Sequence, residues 1–251
     1  MNKLMTFSLC AGALSLHSGL VAAGPFCWSD EDLSYVVTLS AGPAANSSGT
    51  ATQTFFLTPG IENSYVGANK LSLLGIGELF LGLSKQFGQC SSAQLGLALL
   101  YASNASITGN ILDNADPKLD NSTYNYKVQH THLAIKAKWL FEPPSKTLNY
   151  YLSGSAGYGK NAASNYTITS KHPSLIPEFI FTNASTSSLA FTLGAGIQYP
   201  VSENWELGLG YEFAYWGKSQ LGSAPNQTVN TGLSLSTLYT NAIMFGLNYS
   251  C

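Results

Sequence analysis

From Trp205 to Trp216 every second residue is large and apolar: Trp205, Leu207, Leu209, Tyr211, Phe213 and Tyr215. The alternate positions are Glu206, Gly208, Gly210, Glu212, Ala214 and Trp216. A period of two is the pattern of a strand with unlike faces. The same pattern recurs at 33–42, 71–87, 93–102, 127–141, 149–159, 187–199 and 238–249, which predicts eight strands. What constrains the fold is that neither face is fit for water. Opposite the apolar stripe of 188–199 stand only Ser188, Ala190, Thr192, Gly194, Gly196 and Gln198. A soluble sandwich would carry charges there. The chain is 45% hydrophobic and only 10% charged, against about 25% in ordinary soluble domains.

In lipid the assignment inverts. The bulky face looks out to hydrocarbon, and the small face lines a narrow interior. Every backbone group must then be paired within the chain, and strands achieve this only by closing into a barrel. The connections fit. Those at 88–92, 142–146 and 200–204 are short, whereas 43–70, 103–126, 160–186 and 217–237 are long and rich in Asn, Ser, Thr, Gly and Pro. Strands near ten residues, with short turns at one end and long loops at the other, are what an outer-membrane barrel requires. Aromatic residues fall at both strand ends, as interfacial girdles should. Phe87, Trp139, Phe141, Tyr199, Trp205 and Tyr249 mark the short-turn end, and Tyr101, Tyr158, Tyr215 and Tyr239 the long-loop end.

The two glutamates of the opening stretch therefore face the lumen. Glu78, Lys136 and Lys138 share that parity. An unpaired charge in a narrow barrel is costly, so Glu78, Lys136, Lys138, Glu206 and Glu212 are expected to form a lumen network. Counted from the short-turn end, Lys136 matches Glu212 in height, and Lys138 matches Glu206. The alternative is that some of the five sit at a mouth and are solvated.

The N-terminus reads as a cleavable signal peptide over 1–23: Lys3, an apolar run from Leu4 to Leu16, then Val21-Ala22-Ala23 ahead of Gly24. Residues 24–251 would be one barrel domain. Cys27, Cys90 and Cys251 would all lie on the periplasmic side, an oxidising compartment, and are candidates for a disulfide within or between chains. All eleven basic residues are lysine. Without a basic stripe or an arginine fork, nucleic acid is not an expected partner. His130 and His132 share one strand face, but a third ligand is not evident, so no metal site is expected. No GxSxG or other hydrolase motif is present, and no catalytic residue or cofactor is assigned.

Leader, eight alternating strands, unequal connections and an aromatic-rich final strand (TNAIMFGLNY) together resemble the eight-stranded bacterial outer-membrane barrels of the OmpA, OmpX and opacity-protein type, over residues 33–249. The resemblance implies an all-β, antiparallel, up-and-down transmembrane β-barrel in the outer membrane of a Gram-negative bacterium. It implies outer-membrane lipid and the barrel assembly machinery as partners, and a host or environmental ligand met by the long loops. The favoured function is a non-enzymatic structural, adhesive or antigenic surface protein, with a lumen filled by side chains. A barrel enzyme acting on envelope lipids through His130 or His132, and a small gated channel, stay open beside it. So does a secreted lipocalin-like carrier, which predicts a water-soluble protein.

Overall fold

The computed structural model describes residues 33–48, 52–58, 60–68, 70–88, 90–143, 148–172, 178–225, 227 and 231–251. The expected leader at 1–23, and Cys27, lie outside them. Among the described residues every element is a strand: β1 (Leu33–Ser48), β2 (Thr52–Thr58), β3 (Ile61–Ala68), β4 (Ser72–Gln86), β5 (Ser91–Asp113), β6 (Asp120–Phe141), β7 (Asn149–Ser170), β8 (Ala184–Pro200), β9 (Trp205–Tyr215), β10 (Ser219–Gln220), β11 (Ser234–Leu235) and β12 (Leu238–Ser250).

Eight of them close on themselves. Antiparallel pairing runs β1, β4, β5, β6, β7, β8, β9, β12 and back to β1. The fold is an eight-stranded antiparallel β-barrel. Its outside is the apolar stripe: Leu81, Leu97, Ile135 and Leu207 each expose more than half of their surface. Phe80, Ala98 and Ala134, their neighbours in sequence, point in and are buried. The secreted-carrier alternative, which needs the bulky face as its core, is overturned by this orientation.

The long connections differ from expectation. Segment 103–126 is nearly all strand, because β5 and β6 run to 23 and 22 residues and meet in a turn at 114–119. β7 also runs for 22 residues. Segment 43–70 holds the β2–β3 hairpin, and β3 adds to the upper edge of β5. Segment 217–237 holds the small β10–β11 pair.

The physical reason lies in two β-bulges. On β5 the outward face carries Leu95, Leu97, Leu99 and Tyr101. Between Ala102 and Ala105 the register against β6 shifts by one residue. A one-residue shift sends every later side chain to the opposite face. Ala105, Ile107 and Ile111 continue the odd numbering of the outward leucines, yet they point inward and are buried. β7 repeats the device between Ser164 and Thr167, with Asn165 at φ 55°, and turns Tyr166 and Ile168 inward. β6 has no insertion from Ser122 to Phe141, its one extra residue being Asn121 near the far end, so there the residues themselves change. Below are Lys136, His132 and His130; above are Val128, Tyr126 and Tyr124, all on the inner face.

The strands thus continue past the aromatic girdle with their apolar face reversed. They enclose a second core around Phe55, Tyr65, Tyr124, Phe179 and Phe181. Phe55 meets Phe181 at 5.0 Å between ring centroids and Tyr65 edge-on at 5.5 Å. The backbone N–H of Phe179 donates to Tyr65 Oη (3.3 Å).

Candidate functional site

Small residues make the lumen usable. Tyr151 points in from β7 across β8 and β9, and a Cβ on Gly196 or Gly210 would collide with its ring or its hydroxyl. Gly159 does the same for His130, since a Cβ there would sit 2.6 Å from the imidazole Cε1. Gly208 and Gly210 of the opening stretch belong to the interior because Asn248 of β12 and Tyr151 of β7 lie over them.

At mid-lumen Lys136 Nζ is 2.6 Å from Glu78 Oε1, 2.8 Å from Glu78 Oε2 and 2.8 Å from Glu212 Oε2. All three residues are buried. One ammonium thus bridges two carboxylates carried by β4 and β9. Glu212 Oε1 has no hydrogen-bond partner among the described residues. It borders a cavity of about 30 Å³ shared with Ser40, Ser153 and Tyr211, which is room for a water molecule.

Lys138 and Glu206 are not in direct contact. Gln198 joins them: its amide nitrogen donates to Glu206 (3.2 Å), and its oxygen accepts from Lys138 (3.3 Å) and Asn248 (3.0 Å). Asn149 Nδ2 also donates to Glu206 (3.1 Å). Lys138 Nζ sits over the rings of Tyr151 (5.1 Å) and Phe80 (5.7 Å), a cation–π arrangement. The five charged residues therefore fall into two groups, one bonded directly and one bridged by an amide.

Above this network lie the histidines. His130 Nδ1 is 2.6 Å from Asn161 Oδ1, and His130 Nε2 is 2.9 Å from His132 Nδ1. The Asn161 amide nitrogen donates to the carbonyls of Trp216 (2.8 Å) and Lys218 (2.6 Å), which leaves its oxygen as the acceptor. The tautomers follow: His130 donates from Nδ1 to Asn161, and His132 donates from Nδ1 to His130 Nε2. Trp216 stacks on His130 at 4.6 Å and 5°. Both histidines and Trp216 are fully buried. The pair is a packed, hydrogen-bonded unit under a tryptophan cap, not a solvated mouth. Among the described residues no three His, Cys, Asp or Glu side chains group as metal ligands.

The ten girdle aromatics all lie on the outer face. Phe87 stacks on Trp139 (5.5 Å) and Trp205 packs on Tyr249 (4.9 Å) at the short-turn end. Tyr215 meets Tyr239 (5.5 Å) at the other end. Phe141, Tyr199, Tyr101 and Tyr158 are exposed on the same face. Among the described residues Cys90 and Cys251 are exposed thiols not joined to one another.

Sequence reasoning did not find Trp216, Asn161, Gln198 or Tyr151. Trp216 had a signal: it is the one large residue on the small face of its strand. Tyr151 had another, since it is a bulky inward residue facing strands that are glycine-rich on the same side.

A family model described as "Outer membrane protein beta-barrel domain" matches residues 34–250. No curated protein matches the sequence. Among solved structures the chain is similar to Neisserial surface protein A, at 13% identity and a TM-score of 0.47, with 86% of this chain and 96% of that one covered. It is also similar to OprG of Pseudomonas aeruginosa, at 12% identity and 0.45, covering 85% and 95%. The outer membrane protease OmpT of Escherichia coli follows at 11% identity and 0.40, covering 92% and 100%. The chain belongs to the outer membrane protein β-barrel domain family and is a protein of the Gram-negative outer membrane.

Proposed function

We propose that this protein is a non-enzymatic surface protein, exported through a cleaved leader at 1–23, that acts by contact and not by transport or catalysis. The observation that carries this reading is the build of the barrel's outer half. β5, β6 and β7 leave the membrane as one sheet with β2 and β3, and this sheet packs an aromatic core, with Phe179 and Phe181, that is continuous with the upper lumen at Trp216 and Met244. A surface with a packed core is held in a fixed shape, which suits a docking platform better than loops ordered only on binding. Below it the lumen is occupied by Trp216, the histidine pair and the Lys136 network. An eight-stranded barrel filled in this way leaves no general diffusion path.

The test is expression in a Gram-negative host lacking the protein, with a companion chain from which 52–68 (β2 and β3) is deleted. Both chains must give heat-modifiable bands on unboiled gels. The intact chain is expected to raise adherence to epithelial cells or resistance of the envelope to detergent, and the deletion is expected to lose the gain. Unchanged adherence and envelope resistance, together with steady conductance in planar bilayers or an altered envelope lipid profile, would replace this reading with a channel or an enzyme.

A further inference from the structure

β7 and β8 separate above the girdle. Their pairing ends at Ala163 and Ala184. Beyond that point Asn165 interrupts β7, and its N–H donates to Asn183 Oδ1 (3.2 Å). β7 then stays with β6 through Thr167, Ile168 and Thr169. The chain leading into β8 goes the other way, because Thr182 exchanges backbone hydrogen bonds with Gly222, at 3.3 and 2.8 Å. Where the two segments diverge, a cavity of about 440 Å³ opens, lined by Tyr166, Thr167, Ile168, Glu178 and Ile180. Pockets for small ligands measure about 300–1,000 Å³.

The walls of this cavity are braced. Tyr166 packs edge-on against Phe181 (5.3 Å between ring centroids) and stacks on Tyr124 (6.3 Å). Ile168 packs on the same outer core, and Ile180 offers apolar surface at the mouth, 69% exposed. Against these apolar walls stands one carboxylate. Glu178 Oε1 is buried and has no hydrogen-bond partner among the described residues, and the hydroxyl of Tyr166 is also buried and unpaired among them. Lys171, the lysine nearest to Glu178 in sequence, is taken by Asp120 at 2.7 Å. A buried carboxylate oxygen without a donor is costly, and an ammonium relieves that cost.

We propose that this cavity binds a small amphipathic amine, its ammonium on Glu178 and its apolar stem along Ile168 and Ile180. The ring of Tyr166 adds a cation–π surface. Charge complementarity selects the occupant. A purely apolar ligand leaves Glu178 unpaired, an acid adds repulsion, and an amine satisfies the carboxylate while covering the isoleucines. Walls held in place before binding lower the ordering cost. The inference stands apart from what the outer sheet docks against, since the lining residues come from β7 and the approach to β8, not from β2 or β3.

The experiment titrates the full chain in zwitterionic micelles at neutral pH with phenethylamine, phenylethanol and phenylpropionate, by saturation-transfer NMR read against empty micelles. The variants are E178Q, I180K and, as a control in the β8–β9 turn, E203Q. The parent and E203Q are expected to bind phenethylamine about tenfold more tightly than the alcohol or the acid, and E178Q to bind the amine about tenfold more weakly than the parent. I180K brings its own ammonium two residues from Glu178 and should lose the amine. Parent-level amine binding by E178Q or by I180K would overturn the proposal. So would equal affinity of the parent for all three probes, which would leave only an apolar crevice, or no saturable binding above the micelle blank. Heat-modifiability and protease resistance of each variant separate loss of the site from loss of the fold.

Discussion

The phenol of Tyr151 lies where Gly210 would carry a Cβ, so the two residues, on β7 and β9, cannot both have side chains there. Gly210→Ala is therefore expected to lower stability by about 1–3 kcal/mol, the usual cost of overpacking, read from urea unfolding in micelles. Gly208 is the control. A Cβ there would meet Asn248 Nδ2 at an ordinary 3.5 Å, so Gly208→Ala should be close to neutral. Equal stabilities for the two variants would show that Tyr151 yields freely.

Lys136 holds Glu78 and Glu212 on opposite sides of the lumen. Lys136→Met leaves two buried carboxylates facing each other and is expected to cost about 3–5 kcal/mol. Removing all three charges, as Lys136→Met with Glu78→Gln and Glu212→Gln, should recover most of that loss. A single variant as stable as the parent would mean the lumen is wet enough to screen the pair.

Tyr124 lies in the core beyond the membrane. Burial pushes its phenol up from 10.0 to about 12. A group whose folded value is raised contributes its full stability below the unfolded value and loses it as pH climbs through the folded one. The outer core should accordingly weaken between about pH 10 and 12, seen as protease cleavage in β2–β3 that tracks tyrosinate absorbance. Tyr124→Phe should shift that onset upward. An unmoved onset would assign the transition to Tyr65, Tyr126 or Tyr166, which burial also raises.

His130 and His132 are packed and bonded as lumen structure. Replacing both with Asn is expected to lower the temperature of the heat-shift transition while leaving the envelope lipid profile unchanged. An altered lipid profile at unchanged stability would point to an enzyme.

Much of the fold was legible in the alternation. Both faces of 188–199 are unfit for water, and that alone implied closure in lipid, with Phe87, Trp139 and Trp205 outside and Glu78, Lys136 and Glu212 inside. Parity assigns a side, and inside a barrel of fixed radius the side is most of the answer. Heights were less legible. Lys138 and Glu206 read as partners, yet Gln198 stands between them, because strand tilt and stagger set cross-lumen distances that counting along one strand does not contain.

The sequence by itself determined that the strands close and which residues meet lipid, since the bilayer leaves a two-faced strand no other way to pair its backbone. Only the tertiary structure decided where the faces exchange. Ala105, Ile107 and Ile111 have the numbering of lipid-facing residues, and Asn104 and Asn165 look like the start of loops. A single unpaired residue on β5 and another on β7 reverse the parity, and a bulge exists only as a mismatch between two paired strands. The partner strand holds the register, so no one segment records that the barrel rises out of the membrane with its core turned inward.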